Sequence, residues 1–314
     1  MKKGPVVCIG ASLIDESYIC HSQPMAGTSN IATYYRSPGG VARNIANHLA
    51  LLGNNVELIT HFGIDPGGQW LMEQCSEAGI GLSHAFVNHT ETGRFVAMLK
   101  PEGDLFAGAV SCSFENMITP EFLQQKAGLI RSASLLLLDT NLSKACLNWL
   151  LQFCRDEEIP CVIEPVSVPK AARLLHADIS GVMLVTPNQD EMLAITGSGQ
   201  VTEPALLINH LLDRGVKYVW KRDGKNGSGI FSEGYLFHLP APDVEVTDTT
   251  GAGDAALAGW IHGWLRNIPI EDCIRYGHAM ASIILQVKGA VYPELTVDLL
   301  ETSYKNLLKH YESI

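Results

Sequence analysis

Val244-Glu-Val-Thr-Asp-Thr-Thr-Gly-Ala-Gly-Asp-Ala-Ala-Leu-Ala-Gly259 is the stretch whose reading decides the fold. A strand-like run meets Gly251-Ala-Gly253, and an apolar helix begins with Asp254 in its first turn. Small residues let a ligand approach the backbone. The successive N–H groups of Gly251, Ala252 and Gly253, at a helix N-terminus of partial positive charge, favour an anion such as phosphate. Asp254 is then placed to accept a proton from a hydroxyl poised beside that phosphate. A base next to an anion hole suits phosphoryl transfer. The same residues have two other readings. One is a plain tight loop with Asp254 capping its helix. The other is a dinucleotide fingerprint, Gly251-x-Gly253-x-x-Ala256, with Asp272 as the acid about 20 residues on. That fingerprint needs Asp272 to close a second strand, whereas the spacing of Glu271 to Leu285 is helical.

The chain has 314 residues, 46% apolar and 18% charged, with mean hydropathy +0.11. That is enough to bury a sizeable core and rules out disorder for most of its length. One large α/β domain with a small appendage is expected over residues 1–314. The net charge of −11 repels nucleic-acid backbones and anionic membranes, and no basic patch relieves it, so neither is expected as a partner. The longest aliphatic stretches, such as Leu135 to Leu138, fall far short of the roughly 20 residues that cross a bilayer. Val6-Val7-Cys8-Ile9, broken by Gly10 and ended by Asp15 and Glu16, reads as a first core strand rather than a leader. The eight cysteines form no C-x-x-C pair and mostly sit in apolar stretches, as reduced thiols of a cytoplasmic protein do. With no H-E-x-x-H motif, a zinc site has no support.

Short apolar runs alternate with amphipathic segments from about residue 120 onward, the pattern of βαβ units around a parallel sheet. Strands are expected at Ser134 to Leu138, Cys161 to Ile163, Gly181 to Val185, Tyr218 to Trp220 and Ser228 to Phe231. Helices are expected at Ser143 to Asp156, Gln189 to Thr196 and Glu203 to Arg214. In the first half, strands Val6 to Ile9 and Val56 to Ile59 flank a helix from Val41 to Leu52 that Gly53 ends. Residues 12–37 and 93–110 differ. They alternate polar and apolar, are punctuated by glycine, and read as half-exposed strands of a small sheet inserted in the main domain and covering a site.

Three further constellations carry chemistry. Ser37-Pro-Gly-Gly-Val-Ala-Arg-Asn-Ile-Ala46 is a glycine turn opening a helix, where Gly39 and Gly40 admit a ligand and Asn44 offers a donor and an acceptor to hydroxyls. Arg43 reads equally as a surface charge, and Asp15 as a sugar contact or a turn residue. Thr186-Pro-Asn-Gln-Asp-Glu191 puts Asn188 and Glu191 at i and i+3, either to organise hydrated Mg²⁺ or as an ordinary helix start. Lys221-Arg-Asp-Gly-Lys-Asn-Gly227 is a glycine loop that lies along a nucleotide or closes a hairpin.

Together, over nearly the whole chain and in order, these features resemble the PfkB-type, ribokinase-like carbohydrate kinases. Gly39-Gly40 with Asn44 matches the family's N-terminal signature, and Asp248-Thr-Thr-Gly-Ala-Gly-Asp254 its C-terminal one. The resemblance implies a Rossmann-like three-layer α/β core with a small β-sheet lid, ATP as donor, Mg²⁺, and phosphorylation of a primary sugar hydroxyl. Carried over by position, Asp254 is the catalytic base, with Gly251, Ala252 and Gly253 as the anion hole. Asp15, Gly39, Gly40, Asn44 and Asn141 hold the sugar. Asn188, Glu191, Lys221, Gly224, Gly227 and Thr249 attend the nucleotide, with Glu191 reaching Mg²⁺ through water. Asp248 and Thr250, with the loop Lys288 to Ala290, would hold K⁺. Within the family, Pro38 to Ala46, Asp139-Thr-Asn-Leu-Ser143 and Glu164-Pro-Val-Ser167 look most like the kinases of pseudouridine. The Lys-containing G-G-K-G-A-N stretch of ribokinases is absent, which argues against free ribose. Glu164 stands where an Asp is common, which implies a local difference in the pocket. Other acceptors of the family, and a non-catalytic sugar- or nucleotide-binding regulator, are the alternatives. Exposed lid edges would suit a homodimer.

Overall fold

The structure, a computed structural model, describes residues 3–199 and 203–312. Its main sheet contains β1 (Val6–Ile9), β4 (Val56–Ile59), β9 (Leu135–Asp139), β10 (Cys161–Glu164), β11 (Leu184–Val185), β12 (Tyr218–Arg222), β13 (Ser228–Ser232) and β14 (Tyr235–Leu239). The order across it is β14-β13-β12-β11-β10-β9-β1-β4. The strands from β12 to β4 are parallel, and β13 and β14 add an antiparallel edge. Strands buried on both faces read as unbroken apolar runs, which is why Leu135 to Leu138 was legible as one.

Alternation within β1 sorts the layers. Val7 and Ile9 face the core under α4 (Pro120–Gln125), α5 (Ala127–Ser132), α6 (Lys144–Asp156), α8 (Gln189–Thr196) and α9 (Pro204–Asp213). Val6 and Cys8 face the core under α1 (Val41–Leu51), α2 (Pro66–Glu77), α10 (Ala252–Leu265) and α11 (Ile270–Leu285). A third cluster packs α12 (Val297–Glu312) on α11. Short helices α3 (Phe114–Met117) and α7 (Val168–Ala171) complete the set, giving the three-layer α/β core.

A second sheet, β3-β2-β7-β8, stands apart: β2 (Leu13–Cys20), β3 (Ala32–Gly39), β7 (Arg94–Leu99) and β8 (Leu105–Ser111). Every residue of β8 is exposed. A two-stranded patch joins β5 (His61–Gly63) to β6 (Phe86–Asn88).

Three sequence readings differ from the structure. Val244 to Val246 is not a strand: beyond β14 the chain leaves the sheet and runs past the end of α11, where the Leu285 carbonyl accepts the N–H groups of Thr247 and Asp248 at 2.7 and 3.3 Å. The strand expected from Gly181 shrinks to Leu184–Val185, because Gly181 turns at φ 77° and Val182 bonds back to Ile179. Tyr235 to Leu239, passed over in the sequence, is the edge strand β14, and its alternating exposure weakens the apolar signal.

Asp139 joins three pieces at the end of β9. It is fully buried; one oxygen accepts the N–H groups of Ala11 and Ala42 at 3.0 and 3.3 Å, and the other accepts that of Asn141 at 2.9 Å. Asp139→Ala would orphan two buried donors and a part-buried one, and is expected to cost about 3 kcal/mol. Urea unfolding checks this, and an unchanged midpoint would contradict it.

Candidate active site

The chemistry-bearing residues gather beyond the carboxyl ends of the parallel strands, where open α/β sheets bind ligands. Helix α1 reaches this end through Gly40, whose φ of 98° and position against Ala11 exclude a side chain: a Cβ there would lie 2.2 Å from the Ala11 carbonyl oxygen. Helix α10 arrives through Gly251, left-handed at φ 75°, where a Cβ would lie 2.5 Å from the Ala290 Cα. No side chain caps α10, so the N-terminus expected to hold an anion carries no internal substitute for one.

Asp254 lies in the first turn of α10 and accepts a hydrogen bond from Asn44 Nδ2 at 2.8 Å. The amide is oriented by its neighbour. Arg43 has no acceptor; its Nη2 donates to Asn44 Oδ1 at 2.5 Å and to the Pro38 carbonyl at 2.7 Å, and its Nη1 to Asn47 at 3.2 Å. The Asn44 nitrogen is therefore the atom left to face Asp254. Arg43 is 0% exposed, so its reading as a surface charge is overturned. α1 is buried from Ala42 to Leu49, and its guanidinium has to find partners inside.

Burial pushes the Asp254 carboxyl up to about 7, against the Asn44 bond and the Arg222 charge, with Glu164 and Asp139 adding to the rise. Burial likewise pushes Asp15 up to about 6, opposed by Arg43. Asp15 lies within β2 rather than a turn, and Gly39 admits it: a Cβ on Gly39 would lie 2.2 Å from Asp15 Oδ2. Beside Gly40, the buried Ser12 hydroxyl has no hydrogen-bond partner. Asn141 follows β9, where its N–H serves Asp139.

At α8, Asn188 and Glu191 form a reciprocal capping box: Asn188 Oδ1 accepts the Glu191 N–H and Glu191 Oε2 accepts the Asn188 N–H, both at 2.9 Å. The helix-start reading thus holds for one oxygen of each. The second Glu191 oxygen and the Asn188 amide nitrogen remain for a ligand. Among the described residues, no three His, Cys, Asp or Glu side chains gather into a metal site. The donors present therefore fit a Mg²⁺ held through water and phosphate, its usual mode.

Asp248 accepts the N–H groups of Thr250 and Gly289, both at 2.9 Å. Burial alone would raise its carboxyl, but these bonds hold it below the ordinary value. Asp248, Thr250 and the 288–290 loop are thus brought together. The Ala290 carbonyl also meets His48 Nε2 at 3.1 Å, and Thr249 lies exposed, its carbonyl accepting the Ala252 N–H at 3.3 Å.

Lys221 does not join this group. Val219 and Trp220 face opposite cores, so Lys221 shares the face of Val219, and it pairs with Asp223 at 2.8 Å. Gly224 and Gly227 sit in the hairpin between β12 and β13, with a Cβ on Gly227 meeting the Leu239 carbonyl. The inward cation is Arg222, which the sequence reading passed over although strand alternation could have found it. Arg222 Nη2 meets both oxygens of Glu164 at 2.7 Å and the Thr186 carbonyl at 2.6 Å. The dinucleotide reading fails: Asp272 lies in the first turn of α11 and bonds Arg275 and Tyr304.

The chain is similar to known proteins over nearly its whole length. The profile of the pfkB family of carbohydrate kinases matches residues 3–297. A pseudouridine kinase from Escherichia coli is 29% identical over 304 residues, covering 94% of this chain and 95% of the relative. A pseudouridine kinase from Arabidopsis thaliana is 26% identical over 360 residues, covering 94% of each. Among solved structures, an Arabidopsis thaliana ribokinase complexed with ribose and ATP superposes with a TM-score of 0.82 at 22% identity, over 96% of this chain and 99% of that one, a likeness of fold. With its profile matched almost end to end and both signatures assembled at one site, the chain belongs to the pfkB family of carbohydrate kinases and is an ATP-dependent kinase.

Proposed function

We propose that this kinase phosphorylates the primary 5'-hydroxyl of a ribosyl acceptor, and that the acceptor is pseudouridine. The observation that carries the reading is Asp254: a half-buried carboxylate, pushed up to about 7 and held by Asn44, in the first turn of an uncapped helix. Asp254 takes the hydroxyl proton as the new oxygen–phosphorus bond forms and the bond to ADP breaks. The N–H groups of Gly251, Ala252 and Gly253 stabilise charge on the moving phosphoryl. Glu191 and Asn188 would hold Mg²⁺ through water, and the ion would supply neutralisation of phosphate charge. Asp15, Gly39, Gly40, Asn44 and Asn141 hold the sugar, and Thr249 lies beside the nucleotide. Lys221, Gly224 and Gly227 at the β12–β13 hairpin reach it only along its outer part.

Pseudouridine is favoured by the two relatives of nearly full length that bear that activity in their names. Val41 stands where the ribokinase stretch has its lysine, a departure that argues against free ribose. The second sheet, whose β2 carries Asp15, acts as a lid that excludes water from the transfer. Its exposed side chains, Tyr34, Tyr35, Leu105 and Val110 among them, suit pairing of two lids in a homodimer. Asp248 and Thr250, with the 288–290 loop, form the site for K⁺.

ADP release from ATP and Mg²⁺ is to be measured with and without K⁺ on pseudouridine, uridine, ribose, adenosine, fructose and fructose 6-phosphate. Turnover is expected on pseudouridine, increased by K⁺, and reduced about 10²- to 10⁴-fold by Asp254→Asn with nucleotide binding retained. Preference for another acceptor would move the pocket assignment alone, whereas full activity of Asp254→Asn would overturn the mechanism. Sedimentation is expected to give a dimer, and a monomer at micromolar concentration would remove the lid pairing.

A further inference from the structure

Arg222 ends β12 directly beneath the N-terminus of α10. Strand alternation puts it on the face of Trp220, which packs against α10 and α11. Its side chain is 19% exposed and that of its partner Glu164 only 5%. One guanidinium nitrogen is fully committed: Nη2 is shared among both Glu164 oxygens and the Thr186 carbonyl. Glu164 is itself fixed, with Oε2 accepting the Thr186 hydroxyl at 2.5 Å and Oε1 the Val166 N–H at 3.3 Å. The other nitrogen, Nη1, points at the glycine loop and lies 2.6 Å from where a Cβ on residue 253 would stand. Glycine at 253 therefore leaves room for a guanidinium at the mouth of the anion hole.

A buried ion pair is a poor source of stability, since its desolvation offsets most of its attraction and apolar replacements often do as well. The position of this one has a different use. Asp254, Glu191 and Glu164 all face Arg222, and together they make this end of the sheet negative. A doubly charged terminal phosphate entering there meets repulsion unless a fixed cation receives it. Burial alone would lower the Arg222 pKa, but these carboxylates hold it above its ordinary value, so it stays charged. Anchored through Nη2, the planar group presents Nη1 with no reorganisation, which is the condition under which a donor stabilises developing charge most.

We infer that Arg222, oriented by Glu164 and Thr186, is a further catalytic residue, whose Nη1 donates to the transferring phosphoryl group beside Gly253. The inference rests on the kinase reading of this site and adds a residue that neither family signature contains. It also gives Glu164 a purpose. The glutamate reaches Arg222 and Thr186 at once, acting as a positioning residue that never touches substrate.

The test compares Arg222→Lys, Arg222→Gln and the double variant Arg222→Gln/Glu164→Gln, the last leaving no buried charge unpaired. Calorimetry with ADP and with the β,γ-imido analogue of ATP needs no acceptor and reads Arg222 directly. ADP affinity is expected to stay within about threefold of wild type. Affinity for the imido analogue should fall at least about tenfold in both glutamine variants, and kcat about 10²- to 10³-fold, as for loss of one preorganised donor. Arg222→Lys keeps the charge but not the fork and should fall between. Equal weakening of both nucleotides, or a kcat within about threefold of wild type, would overturn the assignment. So would failure of the double variant to fold, which would make the pair a structural element. A wild-type enzyme idle with every acceptor would count against the proposed reaction instead, and leaves the nucleotide comparison intact.

Discussion

The site depends on partly desolvating a carboxylate without losing it to protonation. Asp254, in the first turn of α10, faces α1 at the end of a sheet that carries two more acids, Glu164 and Asp139. Each of these, and burial itself, drives its proton affinity up. Opposing them are one amide, Asn44 at 2.8 Å, and the charge of Arg222. The outcome is a base poised near neutral pH, where proton transfer is most effective. Residues 44 and 254 are 210 positions apart, so the poise exists only once α1 and α10 have packed side by side.

Much of the surrounding architecture serves that contact. Gly40 and Gly251 bring two helix starts against neighbouring backbone, and Asp139 ties the end of β9 to the entries of β2 and α1 through the N–H groups of Ala11 and Ala42. Two arginines, Arg43 buried and Arg222 partly so, then divide the electrostatic work. Arg43 sits behind Asn44 and sets the direction of its amide, while Arg222 sits in front of Glu164 with one nitrogen free towards Gly253. Neither is a stabilising salt bridge of the ordinary surface kind. Both keep polar groups at fixed angles in a place where reorganisation would slow a phosphoryl transfer.

The fold was legible wherever burial produced a continuous signal. Leu135 to Leu138 and Cys161 to Ile163 lie between two helical layers, so their apolar runs had no other reading. The glycine loop before Asp254 was legible because few residue types fit where backbone meets ligand. Pairings across long sequence distances were not. Nothing near Arg43 announces that α1 is enclosed on all sides; local pattern suggests an exposed charge, and only packing against α10 and the second sheet removes it. Lys221 and Arg222 are alike in charge and adjacent, and the choice between them turns on a single step of strand alternation whose register Trp220 sets. Val244 to Val246 has a strand's composition without a neighbour to pair with, and Tyr235 to Leu239 has a neighbour without a strand's uniform burial.

Burial as the origin of the base is tested most directly by the pH dependence of kcat/KM for the wild type and for Asn44→Ala. The active form of Asp254 is the carboxylate, so the rate should be full above the carboxyl's value of about 7 and fall as pH drops through it. Asn44 donates to the charged form and lowers that value, so its removal should move the acid limb to higher pH as well as slow the reaction. A wild-type rate that stays flat down to about pH 5, or a limb unmoved by Asn44→Ala, would contradict the account.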